Sequence, residues 1–243
     1  MNLQEKLKSR LEKHADKKRK LWFENYIKHN TKYRGVQLPT IRNELKEWYS
    51  EENISQIPLS EQLDLALSFF AEDYAEDKFS GILFLQLFLY NKIDYEILLS
   101  RLETIFEQDY IYDWSVCDWL STRVLRNMIK FNGIECANAI TAWNIAKNVW
   151  QARCSVVAFT NINKDGQYTP LILKSNAILI QREERFAKTA VGWLLREISK
   201  LDQGIVVDFI TEFRQYFSKE CLENSIKYFD KDEKLELRKL INN

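Results

Sequence analysis

The sequence has little of what tight turns are made from. Six glycines and three prolines are spread over 243 residues, too few for the many reversals of a sandwich or barrel, so the scarcity favours helices joined by short connections. Histidine is almost absent: His14 and His29 are the only two, and the four cysteines (Cys117, Cys136, Cys154, Cys221) show no CxxC spacing. That inventory argues against a structural zinc or a Cys/His nucleophile pair, and no metal or cofactor is expected. The longest apolar run, residues 81–90, is about half of what a membrane span needs. The N-terminal stretch MNLQEKLKSRLEKHADKKRK has no apolar core of a signal peptide. The expectation is a soluble, cytoplasmic protein whose thiols are free and buried, with no membrane partner.

What is present is enough apolar material for a sizeable core, 46% of residues, together with 29% charged residues summing to a formal net charge of zero. The zero conceals an asymmetry. Residues 1–46 carry 13 Lys/Arg against 5 Asp/Glu, residues 47–119 carry 3 against 16, and residues 120–243 carry 19 against 14. Basic ends around an acidic middle make an uneven field, so a nucleic-acid partner is not excluded by the total.

Apolar spacing predicts helices nearly throughout and no convincing strand. Residues 2–20, with Leu3, Leu7 and Leu11 among charges, read as one basic, loosely packed and mostly solvated helix. Residues 21–29 follow with a denser stripe of Trp22, Phe23, Tyr26 and Ile27. Gly35 breaks that pattern, and Pro39 and Pro58 each open a new helix near its first turn. Further helices are expected at about 77–91, 93–107, 112–131, 134–146, 149–162, 168–180, 183–200, 203–216 and 218–228. Laid over one another, KFSGILFLQL from Lys78, WSVCDWLSTR from Trp114, WQARCSVVAF from Trp150 and AKTAVGWLLR from Ala187 recur at intervals of 36, 36 and 37 residues. A two-helix repeat of that length is the signature of a HEAT- or armadillo-type α-solenoid. The expected architecture is therefore an all-α, curved solenoid forming a single domain over residues 1–243.

Within it, residues 110–126 (YIYDWSVCDWLSTRVLR) combine two unusual side chains. Trp114 and Asp118 are four apart and share one helical face, while Val116, Cys117, Leu120, Val124 and Leu125 supply a separate core-facing surface. In the equivalent helices of later repeats, Arg153 and Trp193 fall on or beside the corresponding face. An ion pair between Arg153 and Asp118, with the indoles as packing, has the same spacing as a site.

Four blocks resemble the HEAT-like-repeat alkylpurine DNA glycosylases of the AlkD type. They are NYIKHNTKYRGVQLPTIR (25–42), DWSVCD (113–118), WQARCSVVAF (150–159) and FAKTAVGWLLREISK (186–200), in order, within a resemblance that covers about residues 20–230. The resemblance implies that a concave face binds double-stranded DNA and that a monomer hydrolyses the N-glycosidic bond of cationic alkylated purines. It implies Asp118 as catalytic carboxylate, Trp114 and Trp193 as catalytic aromatic walls, Arg153 as phosphate contact and Tyr26 as a further DNA-binding aromatic. A bacterial cytosolic location follows from the same likeness. The chain departs from the family's Trp-Asp-x-Val-Asp at Ser115 and Cys117, and Asp113 places another carboxylate close by, where like charge would raise the pKa of Asp118. No lysine on the shared face suggests a Schiff-base nucleophile, so a monofunctional enzyme is expected. Two other classes fit the same scaffold: a non-catalytic DNA-structure binder, and a HEAT-type protein-interaction scaffold.

Overall fold

Helix follows helix through the computed structural model, which describes residues 2–242 and contains no β-strand among them. The first unit, ending at Phe131, holds α1 (Leu3–Glu12), α2 (Lys17–Tyr26), α3 (Leu38–Glu51), α4 (Leu59–Ser68), α5 (Ala75–Phe84), α6 (Tyr95–Glu107) and α7 (Trp114–Leu120). A long helix, α8 (Arg126–Thr141), carries the chain into the second unit and is broken at Gly133, whose φ of 73° lies outside any right-handed helix. The second unit continues with α9 (Val149–Val157), α10 (Thr169–Leu179), α11 (Arg185–Ile198), α12 (Gln203–Phe213), α13 (Lys219–Ser225) and α14 (Lys231–Asn242). Among the described residues no helix is long and apolar enough to cross a membrane.

Inside each unit every second helix packs on the next: α1 on α3, α3 on α5 and α5 on α7 in the first, α9 on α11 and α11 on α13 in the second. The helices between them lie against these, α4 on α5 and α10 on both α9 and α11. Stacked helix pairs make contacts of this kind. The reason is visible in α3, where Pro39 sits in the first turn and Ile41, Leu45 and Trp48 fall on one face and are completely buried. Trp48 is edge-on to Phe69 and Phe84 at 6.2 and 5.9 Å, and its indole N–H donates to the Leu3 carbonyl at 3.0 Å.

Two expectations need correction. Residues 2–20 are not one solvated helix: α1 ends at Glu12, and Asp16 then caps α2 by accepting the Arg19 N–H at 2.9 Å. Nor is α1 loose. Leu7 and Leu11, one turn apart, are fully buried, and Arg10 reaches Glu44, Glu47 and Glu51 of α3 at 2.7, 3.0 and 2.7 Å. The C-terminal α14, rich in charge and with Leu237 buried, has no counterpart in the sequence expectations.

The loop after α2 is anchored by acids of α5. The buried Glu76 carboxylate accepts the N–H groups of Arg34, Gly35 and Val36 at 2.8–3.0 Å, and Arg34 pairs with Asp77 at 2.9 Å. Gly35 is required there: its φ is +89°, and a Cβ would stand 2.2 Å from the Asp16 carbonyl oxygen. Burial pushes the fully enclosed Asp77 carboxyl up to about 6, with Arg34 pulling the other way.

Candidate active site

The site in the first unit is built on α7. Asp113, 1% exposed, is its N-cap and takes the backbone N–H of Ser115 and Val116 at 2.7 and 3.1 Å. It also accepts the hydroxyls of Ser115 at 2.6 Å and Thr31 at 2.5 Å. Four donors therefore hold this carboxylate at the positive end of a helix. Asp113, expected as another carboxylate near Asp118, is the structural cap of the helix. Ser115 has work too, since its oxygen also lies 3.2 Å from the Tyr33 hydroxyl.

From Trp114 to Ile129 exposure follows a period of four. Residues 116, 117, 120, 121, 124, 125, 128 and 129 are buried, and 114, 115, 118, 119, 122, 123, 126 and 127 are partly open. An ordinary helix, at 3.6 residues per turn, would carry a four-residue repeat steadily around its axis. Here Ser121–Leu125 form a π-helical turn, a wider turn that absorbs the drift and keeps the open residues on one side. Trp114 and Asp118 thus sit one turn apart on a half-exposed stripe, and the Thr122 hydroxyl caps the Asp118 carbonyl at 2.7 Å. Trp119 packs against Phe79 at 5.3 Å, with the Arg123 guanidinium 4.7 Å from its ring centroid.

Tyr26 joins this stripe from α2. Its ring is edge-on to Trp114 at 5.4 Å and stacked on Trp22 at 5.4 Å with 9° between planes. The structure thus brings Tyr26 against Trp114, one helical turn from Asp118. Thr31 and Tyr33 lie just beyond α2, so the bonds to Asp113 and Ser115 fix the approach of that segment to the start of α7.

Arg153 and Trp193 belong to the second unit. Arg153 on α9 is 5% exposed, and its Nη1 donates to the Phe186 carbonyl at 2.8 Å and to the Thr189 hydroxyl at 3.2 Å. Phe186, Thr189, Trp193 and Arg196 make up one partly open stripe of α11. Arg153 is therefore bonded to the helix face that carries Trp193. Gly192 explains part of the AVGWLLRE block: a Cβ there would meet the Cys221 carbonyl oxygen of α13 at 2.7 Å, so only glycine permits that helix approach. All four cysteines are buried thiols outside any disulfide.

An all-helical protein with this arrangement has solved counterparts. A protein from Enterococcus faecalis described as a predicted DNA alkylation repair enzyme superposes with a TM-score of 0.76 at 17% identity, covering 90% of this chain and 98% of that one. AlkD2 from Streptococcus mutans gives 0.56, also at 17% identity, over 80% of this chain and 91% of that one. The chain belongs to the family of DNA alkylation repair enzymes, whose model matches residues 7–229. A search of curated proteins finds no match.

Sequence reasoning passed over Trp22, which is 60% exposed and continues the aromatic row, because its place in a stripe with Phe23 and Ile27 looked like packing. It also passed over Thr31 and Tyr33. The Asp before Trp114 was a legible N-cap signal; its bond to Thr31 and the neighbouring contact of Ser115 with Tyr33, each across 82 positions, were not.

Proposed function

We propose that this protein is a monofunctional DNA glycosylase that removes cationic alkylated purines, of the 3-methyladenine and 7-methylguanine type, from double-stranded DNA. The observation carrying the proposal is the Trp114–Asp118 stripe with Tyr26 edge-on to the indole. A cationic purine is already a good leaving group and needs no general acid. As the bond to the sugar breaks, the sugar gains oxocarbenium character. The Asp118 carboxylate stabilises that charge and orients the attacking water. The Trp114 face adds cation–π attraction of about 0.5–2 kcal/mol. On the same reading Trp193 is an aromatic contact and Arg153 a phosphate contact of the second unit to the DNA, and Tyr26 is a DNA contact of the first. The protein acts as a cytosolic monomer without cofactor.

The test is release of 7-methylguanine from methylated duplex DNA by purified protein, without metal or nucleotide. Asp118→Asn should slow release at least about tenfold, equivalent to more than about 1.4 kcal/mol of barrier, with duplex affinity nearly unchanged. Equal rates for the two proteins remove Asp118 from the mechanism. Tight duplex binding with no release by either protein replaces the enzyme with a DNA binder on the same scaffold.

A further inference from the structure

Helix α2 buries none of its residues. Its outward stripe reads Lys18, Trp22, Tyr26, each one turn from the last. All three are exposed, Trp22 by 60% and Tyr26 by 59%, even though their rings are stacked on each other. The row begins at the half-buried Trp114, passes through Tyr26 and ends at the exposed Trp22, which also meets the Phe23 ring edge-on at 5.1 Å. Around it, the first four residues of α2 are Lys17, Lys18, Arg19 and Lys20, against a single acid, Glu24, in the whole helix. Beyond Tyr26 the chain turns away sharply through Lys28 and His29, both left-handed with φ of 56° and 60°.

Asp16 and Glu24 reach Arg19 and Lys20 at 3.5 and 3.9 Å, and an apolar helix seated on the exposed indole would bring no counter-charge to Lys17 and Lys18. The face complements one kind of occupant well. An unstacked nucleotide presents a flat aromatic base and an anionic phosphate a few ångströms apart, and exposed aromatic rings within a basic track are how proteins hold unpaired bases. We infer that α2 is a stacking platform for an unpaired nucleotide of DNA, with Trp22 taking the base and Lys18 and its basic neighbours the flanking phosphates. The inference rests on the reading of the protein as a DNA glycosylase and adds to it a preference for duplex in which stacking is locally broken.

The experiment uses the full chain and unmethylated DNA, so it does not depend on catalysis. Affinity is measured for a fluorescein-labelled duplex with one unpaired thymine and for its fully paired twin. The native protein should prefer the unpaired form, and Trp22→Ala should lower affinity for it about tenfold while changing the paired duplex much less. Trp22→Phe should restore most of the loss, and Lys18→Gln should weaken both complexes and flatten their salt dependence. Because Trp22 is exposed, the alanine variant should melt with the native protein. An unchanged ratio of the two affinities in a folded Trp22→Ala protein overturns the inference, as does equal affinity of the native protein for both duplexes. A preference that the native protein shows and Trp22→Ala loses, when the native protein releases no methylated base, leaves the platform standing and the glycosylase fallen.

Discussion

Thr31 and Asp113 are joined by a 2.5 Å hydrogen bond across 82 positions of chain, and through it the loop that follows α2 is fastened to the N-cap of α7. The same carboxylate organises the first turn of the helix that bears Trp114 and Asp118. The distance between Tyr26 and Trp114 is thus set by a buried polar knot and not by those rings alone.

Breaking the knot should therefore cost more than a cap. Asp113→Ala removes the N-cap, worth about 1 kcal/mol, and takes the carboxylate from the Thr31 and Ser115 hydroxyls, so a loss of about 2–4 kcal/mol is expected. Thr31→Val should lose about 1–2 kcal/mol alone. In urea titrations the double variant should be less destabilised than the sum of the two. Strict additivity would show that the two residues do not act together.

Asp77 should leave a mark on the pH dependence of stability. Its carboxyl is raised to about 6 from an ordinary 3.8, so between those values the folded state binds more proton than the unfolded chain. Stability from this group is greatest at about pH 4, falls as pH rises to about 6, and is level above. Asp77→Asn carries no such slope, so relative to the native protein it should gain roughly 2–3 kcal/mol between pH 4 and pH 7. Urea midpoints at the two pH values measure the difference; parallel curves for both proteins would contradict it.

How much of this was legible in advance differs from residue to residue. The period of the apolar pattern gave helices from α3 to α13, and it separated two helices at Gly133, where φ turns positive. The face shared by Trp114 and Asp118 followed from a spacing of four, although the π-turn that preserves that face farther along did not. Leu7 and Leu11 were visible as a stripe but not as core, because their burial depends on α3 and on the reach of Arg10. Asp113 shows the limit best: a cap signal is local, and its bond to Thr31 is not encoded in any spacing.

Gly192 tests whether the most distinctive block is there for packing. A methyl group would press on the Cys221 carbonyl at 2.7 Å and on Asn224 at 3.2 Å, so Gly192→Ala must move α11 away from α13. A loss of about 1–3 kcal/mol is expected from such overpacking. Trp193, next in sequence, should shift with the helix and report the change in its fluorescence. An alanine variant as stable as the native protein, with an unaltered spectrum, would mean that the glycine is not needed for the approach.

Arg153 is the residue for which a structural and a DNA-contacting role must be pulled apart, because its Nη1 is already bonded to Phe186 and Thr189. Arg153→Ala should lower stability by about 2–4 kcal/mol, since it removes a buried side chain and leaves the Phe186 carbonyl short of a donor. If the guanidinium also meets a phosphate, the same variant loses about one counterion from the salt dependence of duplex binding. Thr189→Val supplies the control: it removes one of the bonds that hold the arginine but no charge, so it should lower stability by about 1 kcal/mol and leave the salt slope as it was. Arg153→Lys keeps the charge without the planar fork, and should retain the slope while losing part of the stability. A slope unchanged in Arg153→Ala, measured where the protein is still folded, would make this arginine a strut between α9 and α11 and nothing more.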